Sequence, residues 1–263
     1  DNILSLYNAL CNTSYTNTDD IQIYTIEDVI YIKMKNDVSI LLDSFLYLWE
    51  QQSTFNPNMP IRGLLYFGKM YDKYIIENHL NIYGKMLIKL PTPKYTVLYN
   101  GMDEQPAFMQ LRLSDSFINP DTSGDFEWTA NMINLNDGKN DDLLDKCQPL
   151  KEYMILINEI RKNSENMKFE DAVDTAVTDC IEHNVLKSFL LKHRAEVLDV
   201  CITEYNEKTF VDGIREEGRK EGREEGQNLL ATVVLRLRNG ETPEQILASG
   251  VDAKTIELAE TIK

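Results

Sequence analysis

Two apolar, β-prone runs, Asp37–Leu42 and Phe45–Gln52, flank the short turn Asp43-Ser44 and predict a β-hairpin. Before it, Ile3, Leu4, Tyr7 and Leu10 recur at helical spacing within residues 1–11. Ile21–Lys35 alternates Ile, Val and Tyr with polar residues and predicts one or two strands. After the hairpin a turn-rich connector ends at Pro60, which suits the first turn of a helix over Ile61–Asn78. On that helix Leu64, Leu65, Gly68, Tyr71 and Ile75 form the predicted packed face, and Arg62, Lys69 and Lys73 share another. Strands are expected at Lys85–Leu90, Tyr95–Asn100 and Phe126–Leu135, with a loop over 102–125. From Asp141 the pattern turns helical, over 141–162, 168–183 and 185–206. Glycines spaced by four, Gly218, Gly222 and Gly226, then mark a charged run that reads either as a helix with a narrow glycine stripe or as a solvated linker. Two short helices close the chain, leaving a helix-turn-helix DNA reader open there.

The hairpin carries the candidate chemistry. Pairing Leu42 with Phe45 sets Asp37 opposite Glu50, with Cβ atoms about 4.5–5.5 Å apart on one face. Gln52 shares that face because the strand period is two. Two facing carboxylates repel unless a cation lies between them, and Mg²⁺ takes one or two protein carboxylates while keeping several waters. Single carboxylates on strands are ordinary, and Arg62, Lys69 and Lys73 read more readily as a solvated face than as a phosphate clamp.

Charge sharpens the picture. The chain of 263 residues has a net charge of −16, which disfavours nonspecific binding to nucleic acid. The first hundred residues hold 8 Lys/Arg against 10 Asp/Glu, so the acidity belongs to the remainder. A phosphate-handling site is therefore permitted in the N-terminal half. With 43% apolar residues the chain is a folded protein. No apolar run approaches the roughly 20 residues that span a bilayer, and the start lacks a signal-peptide pattern. Four scattered cysteines without a CxxC pair predict reduced thiols in a cytoplasmic protein. Three separated histidines argue against a His-based metal site or a Ser-His-Asp triad. A glycine-rich phosphate loop after a strand is also missing. The chain opens at Asp1 without an initiator Met, so preceding residues are expected.

The stretches Asn36-Asp37-Val-Ser, Glu50-Gln-Gln-Ser-Thr54, Asn56-Pro-Asn-Met-Pro-Ile-Arg-Gly63, Leu90-Pro-Thr-Pro-Lys94 and Leu98-Tyr-Asn-Gly101 together resemble the PD-(D/E)XK nuclease superfamily. More narrowly they are similar to the recombination-promoting nuclease (Rpn) and PD-(D/E)XK transposase group. The resemblance implies an α+β fold: a restriction-endonuclease-like core, with a central mixed β-sheet flanked by helices, and an α-helical C-terminal extension. Its implied divisions are a nuclease-like domain over 1–135, a helical extension over 136–210, a charged Gly-spaced helix or linker over 211–228, and a small helical tail over 229–263. Asp37 and Glu50 would bind Mg²⁺ or Mn²⁺, with the backbone carbonyl of Gln51 as a further ligand. Gln52 stands where the superfamily has lysine, and an amide orients water or phosphate without supplying charge. Arg62, Lys69 and Lys73 would line the approach of DNA. The implied activity is metal-dependent DNA cleavage, with self-association expected through the C-terminal helices and no membrane partner. The alternative is a catalytically weak nuclease fold that binds a partner through its acidic helical half.

Overall fold

The computed structural model describes residues 2–23, 37–121 and 123–262, with the side chains of 20, 37, 203–218, 221 and 224 left aside. Its centre is a six-stranded mixed sheet flanked by helices, an α+β architecture. Helix α1 (Asn2–Cys11) precedes the short β1 (Gln22–Ile23), β2 (Asp37–Leu42) and β3 (Phe45–Gln52). Helix α2 (Met59–Glu77) leads to β4 (Thr92–Tyr99), followed by β5 (Phe108–Arg112) and β6 (Thr129–Asn134). The spatial order is β1-β2-β3-β4-β6-β5. Most of the strand expected within Ile21–Lys35 lies outside the described residues.

Asp43 and Ser44 turn the hairpin with φ of 49° and 63°. Two successive positive φ values match the right-handed twist of the flanking strands, so a two-residue loop suffices. The resulting register pairs Leu42 with Phe45 and Asp37 with Glu50, as the sequence predicts. β3 and β4 run parallel, and a parallel pair needs a crossover, which α2 supplies.

Each face of the sheet has its own core. Leu46, Leu48, Tyr95, Val97 and Met132 pack against Met59, Phe67 and Met70 of α2. On the other face Ile40, Tyr47 and Trp49 meet Tyr7 of α1. Leu98 and Leu135 meet Leu144 of α3 (Asp141–Lys146) and Met154 of α4 (Gln148–Ser164). Helix α5 (Phe169–Glu182) buries Val173, Ala176 and Val177 against Leu156 and Ile160 of α4 and Leu190 of α6 (Lys187–Arg238). The last turns of α6 close a separate small core with α7 (Pro243–Ala248) and α8 (Ala253–Ile262) through Val233, Leu237, Ile246 and Ile256.

Several expectations need correcting. Residues 85–90 form no strand: β4 meets β3 only from Thr92, opposite Phe45, and the chain before it runs past the hairpin turn with nothing to pair. Met86 and Leu87 accordingly stay exposed. The loop expected over 102–125 contains β5, a five-residue edge strand in which Met109 and Leu111 turn inward while Phe108, Gln110 and Arg112 stay exposed. The α2 face that packs is Met59, Gly63, Tyr66, Phe67 and Met70; of the predicted face Tyr71 packs against them half-buried, while Leu65 and Gly68 face solvent. The helix predicted over 141–162 breaks at Cys147, because Pro149 in the first turn of α4 has no N–H to continue it. Helical backbone runs from Lys187 to Arg238 with a kink at the non-helical His193, and the charged run beyond the kink is helix and not linker. A Cβ built at Gly222 or Gly226 meets nothing within 4 Å, so no described helix packs on these two glycines.

Candidate active site

Glu50 lies near the end of β3, on the face covered by α2, and is completely buried. A carboxylate withdrawn from water is tolerated only with compensating charge and hydrogen bonds. Three groups supply them. Gln52, two residues on along the same face, donates from Nε2 to Oε1 over 2.8 Å. The Tyr95 hydroxyl donates to Oε2 over 2.6 Å. The Arg62 guanidinium, in the first turns of α2, forms an ion pair with Oε1.

Local sequence explains the convergence. Pro60 fits the first turn of α2, where the helix has no use for its missing N–H, and so aims Arg62 back over the strand end. Gly63 follows, and a Cβ there would stand 2.5 Å from the Tyr95 ring and 2.9 Å from Trp128 Nε1. The absence of a side chain therefore lets α2 lie close enough to β4 for Tyr95 and Arg62 to share one carboxylate.

Burial opposes the positive charge of Arg62, but the Glu50 carboxylate together with the Tyr66 and Tyr95 phenols outweighs that opposition and raises its pKa above the usual arginine value. Arg62 Nε is buried without a hydrogen-bond partner.

The predicted residues divide into four groups. Glu50, Gln52 and Arg62 come together on one face. Asp37 pairs with Glu50 in the register, and its side chain is outside what is described. Gln51 points to the opposite face, where its amide donates to Asn100 Oδ1 over 2.7 Å, although its backbone remains beside Glu50. Lys69 and Lys73 lie about 10 and 16 Å beyond Arg62 along the helix axis, at 1.5 Å per residue. Lys69 is exposed, and Lys73 stands 4.0 Å from Glu77 on its own helix.

Tyr95 is the residue that sequence reasoning missed. Its strand was predicted, but its place beside Glu50 depends on the parallel register that pairs Leu48 with Tyr95, which no local pattern encodes.

Among the described residues no group of three His, Cys, Asp or Glu stands ready to hold a metal ion. The donor set nonetheless suits a hard cation: an oxygen ligand at Glu50, a second acid opposite it in the register, and the Gln51 carbonyl between Glu50 and Gln52. In the structure the cation facing this carboxylate is Arg62.

No family model, curated protein or solved structure matches the chain. Fold and site together define an α+β protein with a buried, arginine-paired acid at the crossover between two parallel strands.

Proposed function

We propose that this chain is a metal-dependent DNA endonuclease of the PD-(D/E)XK type, of the recombination-promoting, transposase-associated kind. One observation carries the proposal: Asp37 and Glu50 are register partners, and Gln52 and Arg62 converge on the same Glu50 oxygen. The order of elements supports it, with a helix, a hairpin bearing both acids, a crossover helix and a parallel strand in succession.

Asp37, Glu50 and the Gln51 carbonyl would hold Mg²⁺ or Mn²⁺. The chemistry supplied there by the bound ion is positive charge against the attacked phosphate and a more acidic water. Gln52 orients by hydrogen bonding alone. Arg62, once its carboxylate is shared with an ion, is a bidentate phosphate donor at the mouth of the site. Tyr95 fixes the carboxylate through its hydrogen bond to Oε2.

The test is plasmid cleavage at low salt with Mg²⁺ or Mn²⁺, with and without chelator. Cleavage should vanish in Asp37→Ala and Glu50→Ala and fall only partly in Gln52→Ala. Wild-type protein that leaves DNA intact, or acid variants that cut as fast as wild type, would remove the nuclease reading.

A second reading rests on the same carboxylate. Glu50 is already satisfied by Arg62, Tyr95 and Gln52, as a purely structural acid would be, and most of the net negative charge lies in the helical half. Under that reading the protein binds a partner through its acidic helices, and Mn²⁺ binds neither wild type nor Arg62→Ala.

A further inference from the structure

On the face of the sheet away from Glu50, a half-open cavity of about 170 Å³ lies between the ends of β3 and β4 and the helices α4 to α6. Met102, Ile157 and Phe169 give it apolar walls, and Arg161 brings a cation to them. Every hydrogen bond of that guanidinium goes to a neutral oxygen: Asn136 Oδ1 at 3.1 Å, Asn158 Oδ1 at 3.5 Å, and the Asn100 carbonyl. No described carboxylate forms an ion pair with it. The acid acting on it from nearby, Asp137, is held by the Asn158 amide at 3.1 and 3.3 Å. Desolvation weighs against its charge and lowers its pKa from the ordinary arginine value. At the rim stands the exposed Ser53, whose hydroxyl makes no hydrogen bond among the described residues.

Semi-buried arginines normally sit beside an anion, because their desolvation is otherwise uncompensated. Here Glu50 has Arg62 in contact, while Arg161 has no ion-pair partner among the described residues and feels Asp137 only from a distance. The position also favours a ligand: β3, β4 and β6 are parallel, and crevices beyond the carboxyl ends of parallel strands are where α/β sheets bind small molecules. An apolar cavity of about 150 Å³ takes one benzene-sized body. This one is of that order, too small for a nucleotide.

We propose that this cavity binds a small organic monocarboxylate, with its apolar body against Ile157 and Phe169 and its carboxylate on Arg161 and Ser53. The site is separate from Glu50 and does not rest on the nuclease reading.

The test is calorimetric titration of the full chain with benzoate, cyclohexanecarboxylate and the neutral isostere benzamide. Both acids should bind saturably. Benzamide should bind at least about ten-fold more weakly, since a charge-assisted hydrogen bond exceeds a neutral one by that order. Arg161→Gln should lose the acids by a similar factor, with its melting transition checked for folding. Ile157→Phe, which keeps the guanidinium and narrows the cavity, should weaken both acids and leave benzamide no better. Absence of saturable binding by both acids, equal binding of benzoate and benzamide, or undiminished binding to folded Arg161→Gln would each overturn the proposal. If Arg161→Gln does not fold, undiminished acid binding by Ile157→Phe overturns it.

Discussion

Arg62 and Glu50 form an ion pair across the junction of β3 and α2, joining a carboxylate with no exposure to a guanidinium whose side chain is 23% exposed. The asymmetry decides how each partner tolerates loss of the other. Arg62 can turn toward water, whereas Glu50 has no such route.

Removing the arginine should therefore hurt more than neutralising the acid. Arg62→Ala leaves a buried carboxylate without its cation and is expected to cost about 3 kcal/mol or more. Glu50→Gln should cost less, and the double variant less than the sum of the two. Urea unfolding of the three proteins checks this, and a loss in Arg62→Ala below about 1 kcal/mol would reduce the pair to an ordinary surface bridge.

Metal binding, on the proposed function, competes with the same arginine. Mn²⁺ should raise the melting temperature of Arg62→Ala by more than that of wild type, because binding to the folded state stabilises by mass action and the variant lacks the internal cation. Chelator should reverse the gain. Identical responses of the two proteins would mean that Arg62 does not guard the site.

Gly63→Ala sets two effects against each other. Alanine gains about 1 kcal/mol of helix propensity. Its Cβ also enters the Tyr95 ring at 2.5 Å, and overpacking of this kind costs about 1–3 kcal/mol. Tyr95 is held by its hydrogen bond to Glu50, so it cannot simply step aside. A net loss of stability is expected by thermal denaturation; a gain would show that the ring moves freely.

Alkaline pH should destabilise the fold. Burial pushes the Cys180 thiol up to about 11 and the Tyr71 phenol up to about 12, and raises Cys11, Tyr7 and Tyr99 as well. Each group holds its proton more tightly folded than unfolded. Their stabilisation is therefore complete below the ordinary thiol and phenol pKa values, and is lost as pH rises through the folded ones. Unfolding free energy measured upward from about pH 8 should fall. Cys180→Ser should flatten the early part of that fall, and an unchanged slope would exclude the thiol as a contributor.

The sequence made some of this legible and hid the rest for identifiable reasons. The Asp37–Glu50 pairing was readable because a two-residue turn fixes an antiparallel register from local information alone. The resemblance implies Arg62 near the site, but its pairing with Glu50 depends on Pro60 and Gly63 setting how α2 lies. The Tyr95 contact and the Arg161 cavity both depend on parallel or long-range packing, which leaves no period in the chain. The false strand at 85–90 shows the converse: β-prone residues form no strand where the sheet offers no neighbour.

The crossover geometry has a dynamic consequence. Glu50, Arg62 and Tyr95 come from β3, α2 and β4, so the site has no half-assembled form. Lifting α2 alone would admit water to the acid and strip away its cation at once. Opening there costs too much to occur as local fraying, and the backbone amides around Glu50 should exchange with deuterium only through the rarest, largest openings of the domain.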